Sequence, residues 1–219
     1  MISKEIIGLL FTGIYETLYM VIVSAMISYI LGIPLGLILN ITDKDGICEN
    51  RIVNGILGFI INFLRSIPFI ILLIAILPFT RAVVGTTIGS TATIVPLVAA
   101  AAPFVARMVE SSLKEVDSGV IEAAKAMGST PFQIIYKVLL PEAKPSLIVG
   151  AAIAVTTILG YSAMAGFTGG GGLGAIAINY GYYRYQENVM FITVILLVII
   201  VQIFQEIGMR AAKRNDKRN

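Results

Sequence analysis

Few side chains in this sequence could do chemistry, and most of them lie in apolar surroundings. Arg65 stands inside a long apolar run. If that run begins near Val53, Arg65 lies about 18 Å along a helix that rises about 1.5 Å per residue. An ionisable group so deep in an apolar segment marks a functional location by default. That depth disfavours snorkelling and favours an interior position, at a dimer interface or a wet cavity. Tyr161, Ser162 and Met164 stand close together in another apolar run. Ser162 could offer a hydroxyl to a polar head group. Met164 could present a soft thioether to an apolar ligand chain or serve as a gate. Ordinary helix packing is an equally open reading for each of the three.

Much chemistry is excluded. The chain has no His, which removes Ser-His and Cys-His catalysis and any His-containing zinc site. Its single cysteine, Cys48, can form no intrachain disulfide and no Cys-rich metal site. No metal site is expected. Glu16 and Glu206 fall near opposite ends of the membrane, so they cannot form an aspartyl-type dyad. No Gly-Lys-Ser/Thr motif is present, so this chain is not expected to bind ATP. Gly169-Gly170-Gly171-Gly172-Leu173-Gly174 contains a formal G-x-G-x-x-G. It lacks the βαβ setting that a nucleotide site needs, and reads as a tight turn or a re-entrant bend buried in protein.

The elements that position these residues are membrane spans. The chain of 219 residues is 57% hydrophobic and 13% charged, with mean hydropathy +0.90. Soluble domains carry about 25% charge. So little charge could cover neither a soluble surface nor a disordered chain. About 20 apolar residues cross a bilayer as a helix. Five stretches qualify: residues 12–39, 53–77, a run after the Gly/Thr-rich 85–93 that ends near 107, 145–165 and 189–209. The first is too long for a signal-peptide core and lacks a convincing cleavage site. Pro34 and Pro68 are expected to kink their helices, and Gly32 and Gly36 to allow close helix packing.

Charge sets the orientation. Lys44, Arg51, Arg107, Lys114, Lys125, Lys137, Lys144, Arg210, Lys213, Arg214, Lys217 and Arg218 fall on one side of the five spans. Only Lys4, Arg81 and Arg184 fall on the other. The positive-inside rule therefore puts the N-terminus outside and the C-terminus in the cytoplasm.

Residues 110–144 are too polar to cross and form a cytoplasmic segment. Glu122-Ala123-Ala124-Lys125-Ala126-Met127-Gly128 predicts a short helix that breaks at the glycine. Ser129 or Thr130 can cap a second helix with Pro131 in its first turn. Phe132, Ile135, Val138 and Leu139 recur at helical spacing, and Pro141 is expected to end that helix. Ala123, Ala124 and Ala126 offer a small-residue face that a partner could approach.

This segment resembles the signature loop of ABC importer permeases: Glu-Ala-Ala, three residues, Gly, nine residues, Ile-x-Leu-Pro. Glu122, Ala123, Ala124, Gly128, Leu140 and Pro141 all fit, with Val138 in place of Ile. Three further stretches narrow the resemblance. They are Arg65-Ser66-Ile67-Pro68-Phe69-Ile70-Ile71-Leu72 with Pro78-Phe79-Thr80-Arg81, Ala102-Pro103-Phe104-Val105-Ala106-Arg107-Met108-Val109-Glu110, and Gly160-Tyr161-Ser162-Ala163-Met164-Ala165-Gly166. Together they are similar to permease subunits of bacterial methionine importers.

The resemblance implies an all-α, polytopic type I importer permease with five transmembrane helices. It implies one membrane domain over 1–219, with the transmembrane part at about 12–206. Such permeases are not enzymes. They work as homodimers with two cytoplasmic ATPase subunits, which bind the ATP and Mg, and with an extracytoplasmic methionine-binding protein or lipoprotein. Glu122, Ala123, Ala124, Ala126, Met127, Gly128 and Pro141 would then couple to the ATPase. Arg65, Tyr161, Ser162 and Met164 would line the path. A permease of the same class for another amino acid or small nutrient stays open, and so does an ion-coupled transporter, which would leave the 122–141 motif unexplained.

Overall fold

The computed structural model describes residues 4–215, so Lys217 and Arg218 of the basic tail lie outside the described residues. Among the described residues all regular structure is helical. In chain order the helices are α1 (Lys4–Thr42), α2 (Arg51–Ser66), α3 (Phe69–Ala75), α4 (Leu77–Val84), α5 (Ser90–Lys114), α6 (Ser118–Ala126), α7 (Pro131–Ile134), α8 (Leu140–Met164), α9 (Gly172–Ile176) and α10 (Glu187–Asn215). Four stretches are long and apolar enough to cross a membrane: α1, α5, the α7–α8 stretch and α10. The α2–α3 pair makes a fifth if it counts as one span.

That pair corrects the expectation of a merely kinked second span. The helix stops at Ser66 and bends by 99° before α3. Proline lacks an amide donor and pushes the preceding residue out of the helical region, so Ile67 and Pro68 cannot continue α2. Pro68 instead caps α3, its carbonyl accepting from the amides of Ile71 (2.9 Å) and Leu72 (3.0 Å). Pro34, by contrast, lies inside α1 without ending it.

Pro141 also departs from expectation, because it does not end a helix. Residues Ile135–Leu139 form a π-helical turn that leads directly into α8. There the Leu140 amide donates to the Ile135 carbonyl, five residues back. The wider turn lets the chain pass a residue without an amide donor, and Pro141 sits in the first turn of α8.

The chain forms two compact units, and each of α1, α5, α8 and α10 contributes to both. Among the described residues, unit one comprises 4–28, Ile67–Ala101 and Ala154–Gln205. Its core includes Met20, Val21, Leu73, Leu97, Ile158 and Leu173. Unit two comprises Tyr29–Ser66, Ala102–Ile153 and 206–215. In it α1 meets α5 across Gly32 and Gly36. A Cβ at Gly32 would lie 2.6 Å from Val105 Cγ1, and one at Gly36 would lie 2.4 Å from the Ala106 carbonyl oxygen. The Gly-x-x-x-Gly spacing thus serves the close packing read from the sequence. Leu39, Ile61 and Ala106 complete a small core where α2 joins them.

Candidate functional site

The segment between α5 and α8 is a compact hairpin in unit two. Asp117 caps α6 by accepting from the Gly119 amide at 2.7 Å. The end of α6 satisfies its carbonyls through a left-handed turn at Gly128 (φ 76°). Gly128 N–H donates to Lys125 at 3.0 Å and Ser129 N–H to Ala124 at 3.1 Å, the paired bonds of a Schellman cap. Of the two capping candidates, Thr130 starts α7. Its hydroxyl accepts from the Gln133 amide, and the Gln133 side chain accepts from the Thr130 amide at 2.9 Å, a reciprocal capping box. A backbone turn at Gly128 and a side-chain capping box at Thr130 therefore fix the hairpin.

The expected faces are partly reassigned. Ala123, Ala124 and Ala126 do not share one face, because successive helical residues point about 100° apart. Ala124 is buried in the protein's own core, while Ala123 and Ala126 are open. Phe132 does not face inward; Ile134 of α7 and Leu139 of the π-helical turn do. Met127 is 79% exposed, Phe132 74% and Tyr136 67%, and the two rings stack at 6.4 Å. Glu122, Gly128 and Pro141 are exposed as well. The hairpin thus presents exposed apolar side chains as well as open small residues.

Arg65 occupies the last turn of α2, where a cation suits the helix dipole. It is exposed, and takes no ion pair among the described residues. Asn62, one turn earlier on the same side, and the adjacent Ser66 are both exposed. The Ser66 hydroxyl donates to the Asn62 carbonyl at 2.8 Å.

In unit one, Tyr161 stacks on Phe69 with ring centroids 4.5 Å apart and planes 9° apart. Met164, one turn further along α8, is exposed. Ser162 points elsewhere: it is 1% exposed and its hydroxyl donates to the Leu159 carbonyl at 2.8 Å. The structure thus brings Tyr161 and Met164 to neighbouring positions and turns Ser162 inward.

The glycine run is a buried bend, with Gly169, Gly171 and Gly172 all at positive φ. Two side chains of α1 hold it. Glu16 Oε2 accepts from the Gly172 amide at 2.6 Å, and Thr17 Oγ1 accepts from the Leu173 amide at 2.9 Å. A Cβ on Gly171 would come within 2.8 Å of that Glu16 oxygen, so the run is bare because α1 approaches it. Sequence reading missed Glu16 and Thr17 as anchors, since their partners lie 156 residues away.

A charge network in unit two was also missed. Glu110, 5% exposed, lies between Arg107 Nη1 (2.5 Å) and Lys114 Nζ (2.9 Å). Lys114 also reaches Asp43 at 2.7 Å. The ammonium beside it and the Lys44 amide hold the Asp43 carboxyl below its ordinary value of 3.8. The i, i+3 and i+4 spacing of Arg107, Glu110 and Lys114 was the available signal; the contact with Asp43 was not foreseeable.

Apolar helices long enough to cross a membrane, one of them broken at Pro68, a buried glycine bend and a self-capped polar hairpin with exposed apolar side chains are the framework of a multi-pass membrane protein. The chain belongs to the family of binding-protein-dependent transport system inner membrane components, whose profile matches residues 32–215. As such it is a multi-pass inner-membrane permease and not itself an ATPase. It is 51% identical over 210 residues to the probable D-methionine transport system permease protein MetI of Vibrio cholerae, covering 96% of this chain and 93% of that one. It is 50% identical over 164 residues to the D-methionine transport system permease protein MetI of Escherichia coli, covering 75% and 76%. Its fold matches a crystal structure of the MetNI methionine ABC transporter in an inward-facing conformation. The TM-score is 0.97 at 47% identity, over 99% of this chain and 100% of that one.

Proposed function

We propose that this chain is the permease subunit of an ATP-driven importer of methionine, of the L- and D-forms. The observation that carries the reading is the α6–Gly128–α7 hairpin: a rigid, doubly capped element whose Met127, Phe132 and Tyr136 are open to a partner. The D-methionine permeases that match nearly the whole chain support the substrate. In this reading two copies form the pathway. Each docks one cytoplasmic ATPase, which binds the ATP and Mg, and an extracytoplasmic methionine-binding protein or lipoprotein delivers substrate. The N-terminus lies outside and the C-terminus in the cytoplasm, as the distribution of basic residues supports.

The mechanism is alternating access. Closure of the ATPases moves the hairpins through Glu122, Ala123, Ala126, Met127 and Gly128, and the spans rock about the dimer axis. Ala124 and Pro141 fix the hairpin from its own side. Arg65 faces the path rather than lipid, because an exposed guanidinium without an acidic partner is costly in hydrocarbon. Its planar fork suits a carboxylate, as in an amino-acid substrate. Met164 and Tyr161 supply the apolar lining on α8, and Ser162 holds that turn of the helix.

The test is uptake of labelled L- and D-methionine into proteoliposomes that contain the permease, the ATPase and the binding protein. Uptake should need ATP and should stop with a Walker-defective ATPase. Gly128→Asp should assemble yet hydrolyse ATP without uptake. Uptake that survives the defective ATPase, or that another nutrient competes for and methionine does not, overturns the reading.

A further inference from the structure

The Asp43–Lys114–Glu110–Arg107 network has no part in the roles assigned so far. It is nevertheless placed between the docking hairpin and the helix that carries Arg65. The link from α5 to α6 is only residues 115–117. Val116 is buried within it, and Asp117 caps α6, so the link is short and anchored. A displacement of α6 therefore moves the last turns of α5. Those turns hold Glu110 between Arg107 and Lys114. From there the network leaves α5 in two directions. Lys114 reaches Asp43 just beyond α1 at 2.7 Å. Arg107 Nη2 donates to the carbonyl oxygen of Gly58, in the middle of α2, at 3.2 Å.

Gly58 and Arg65 are seven residues apart on α2, two helical turns along nearly the same face. The contact at Gly58 is close: a Cβ there would lie 3.4 Å from Arg107 Nη2, so a larger side chain at this position would crowd the guanidinium. Arg107 Nε is buried with no hydrogen-bond partner, so the guanidinium is held by its two terminal nitrogens alone. Apolar contacts slide with little change in energy. A buried carboxylate between two cations resists displacement, because losing one partner leaves an uncompensated charge.

We infer that Glu110, with Arg107 and Lys114, is a strut that carries movement of the docking hairpin to α2 and to the end of α1. These are positioning residues: they touch neither substrate nor nucleotide. The inference rests on the docking role proposed for α6.

The experiment uses the complete transporter in proteoliposomes and reads methionine taken up per ATP hydrolysed. Glu110→Gln and Arg107→Lys should still assemble with the ATPase and respond to the binding protein. Their uptake per ATP should fall about tenfold, since Glu110→Gln removes the carboxylate that both cations share and Arg107→Lys keeps the charge but loses the fork that holds Glu110 and the Gly58 carbonyl together. Lys114→Met should show a smaller fall that Lys114→Arg restores. Wild-type uptake per ATP in assembled Glu110→Gln and Arg107→Lys overturns the strut, and so does a parallel fall of hydrolysis and uptake. If neither variant assembles, Gly58→Val decides in the same way: its branched carbons crowd the Arg107 guanidinium from α2 and it alters no charge. Failure of the transport assignment itself would show in the wild-type complex, as absence of ATP-dependent uptake.

Discussion

Truncating Phe132 to alanine separates a docking surface from a folded one. The ring is 74% exposed and stacks only on Tyr136, which is itself exposed. Loss of such a side chain costs the fold about 0.5 kcal/mol or less. An aromatic side chain can bury about 200 Å², so roughly 150 Å² of Phe132 is available to a partner. At about 25 cal/mol/Å², full cover of that surface sets an upper limit near 4 kcal/mol. Interface hot spots commonly reach about half of that, or roughly 2 kcal/mol, which is about a thirtyfold loss of affinity. The assay pairs two measurements on Phe132→Ala. Affinity for the ATPase is measured in detergent by surface-based binding kinetics, and thermal unfolding is measured on the permease alone. A roughly thirtyfold weaker complex with an unfolding temperature within about two degrees of wild type is expected. Unchanged affinity would refute the reasoning, and so would an unfolding shift large enough to account for the weaker binding.

Two further outcomes test the packing and the electrostatics. Gly36→Ala should destabilise the permease by about 1–3 kcal/mol in thermal unfolding, because the new Cβ meets the Ala106 carbonyl and Val109 where backbone cannot yield; Gly55→Ala, which meets nothing within 4 Å, should be neutral or stabilising. The carboxyl of Asp43 is held below 3.8, so its contribution is fully present above that pH and disappears as pH falls through the lowered value. Thermal unfolding of wild type and Asp43→Asn should therefore differ by a constant amount from pH 5 to pH 8, and that difference should shrink only as the pH falls below 3.8.

Much of the site was legible because it is local. The hairpin's stop at Gly128, the cap at Thr130 and the close approach at Gly32 and Gly36 follow from steric and hydrogen-bonding rules that act over a few residues. The faces were harder. Phe132 fits an apolar helical stripe, yet the π-helical turn at Ile135–Leu139 shifts the phase and leaves it outside. Pro141 reads as a helix end only if the turn before it is an ordinary one. Ser162 looked like a ligand group because it adjoins Tyr161, but one residue along a helix is about 100° around it.

The sequence alone determined that this is an all-helical membrane protein, how its charge divides, and where the α6–α7 hairpin lies. Those properties come from the solvent each residue can tolerate and from turns closed within a few positions. Only the tertiary structure decided that Glu16 and Thr17 hold a bend 156 residues away, that the second span breaks by 99°, and that Glu110 joins Arg107 to Lys114 and, through it, to Asp43. The physical reason is common to all three. A buried charge or a bare amide must find a partner somewhere, but which partner comes within reach depends on how distant helices pack.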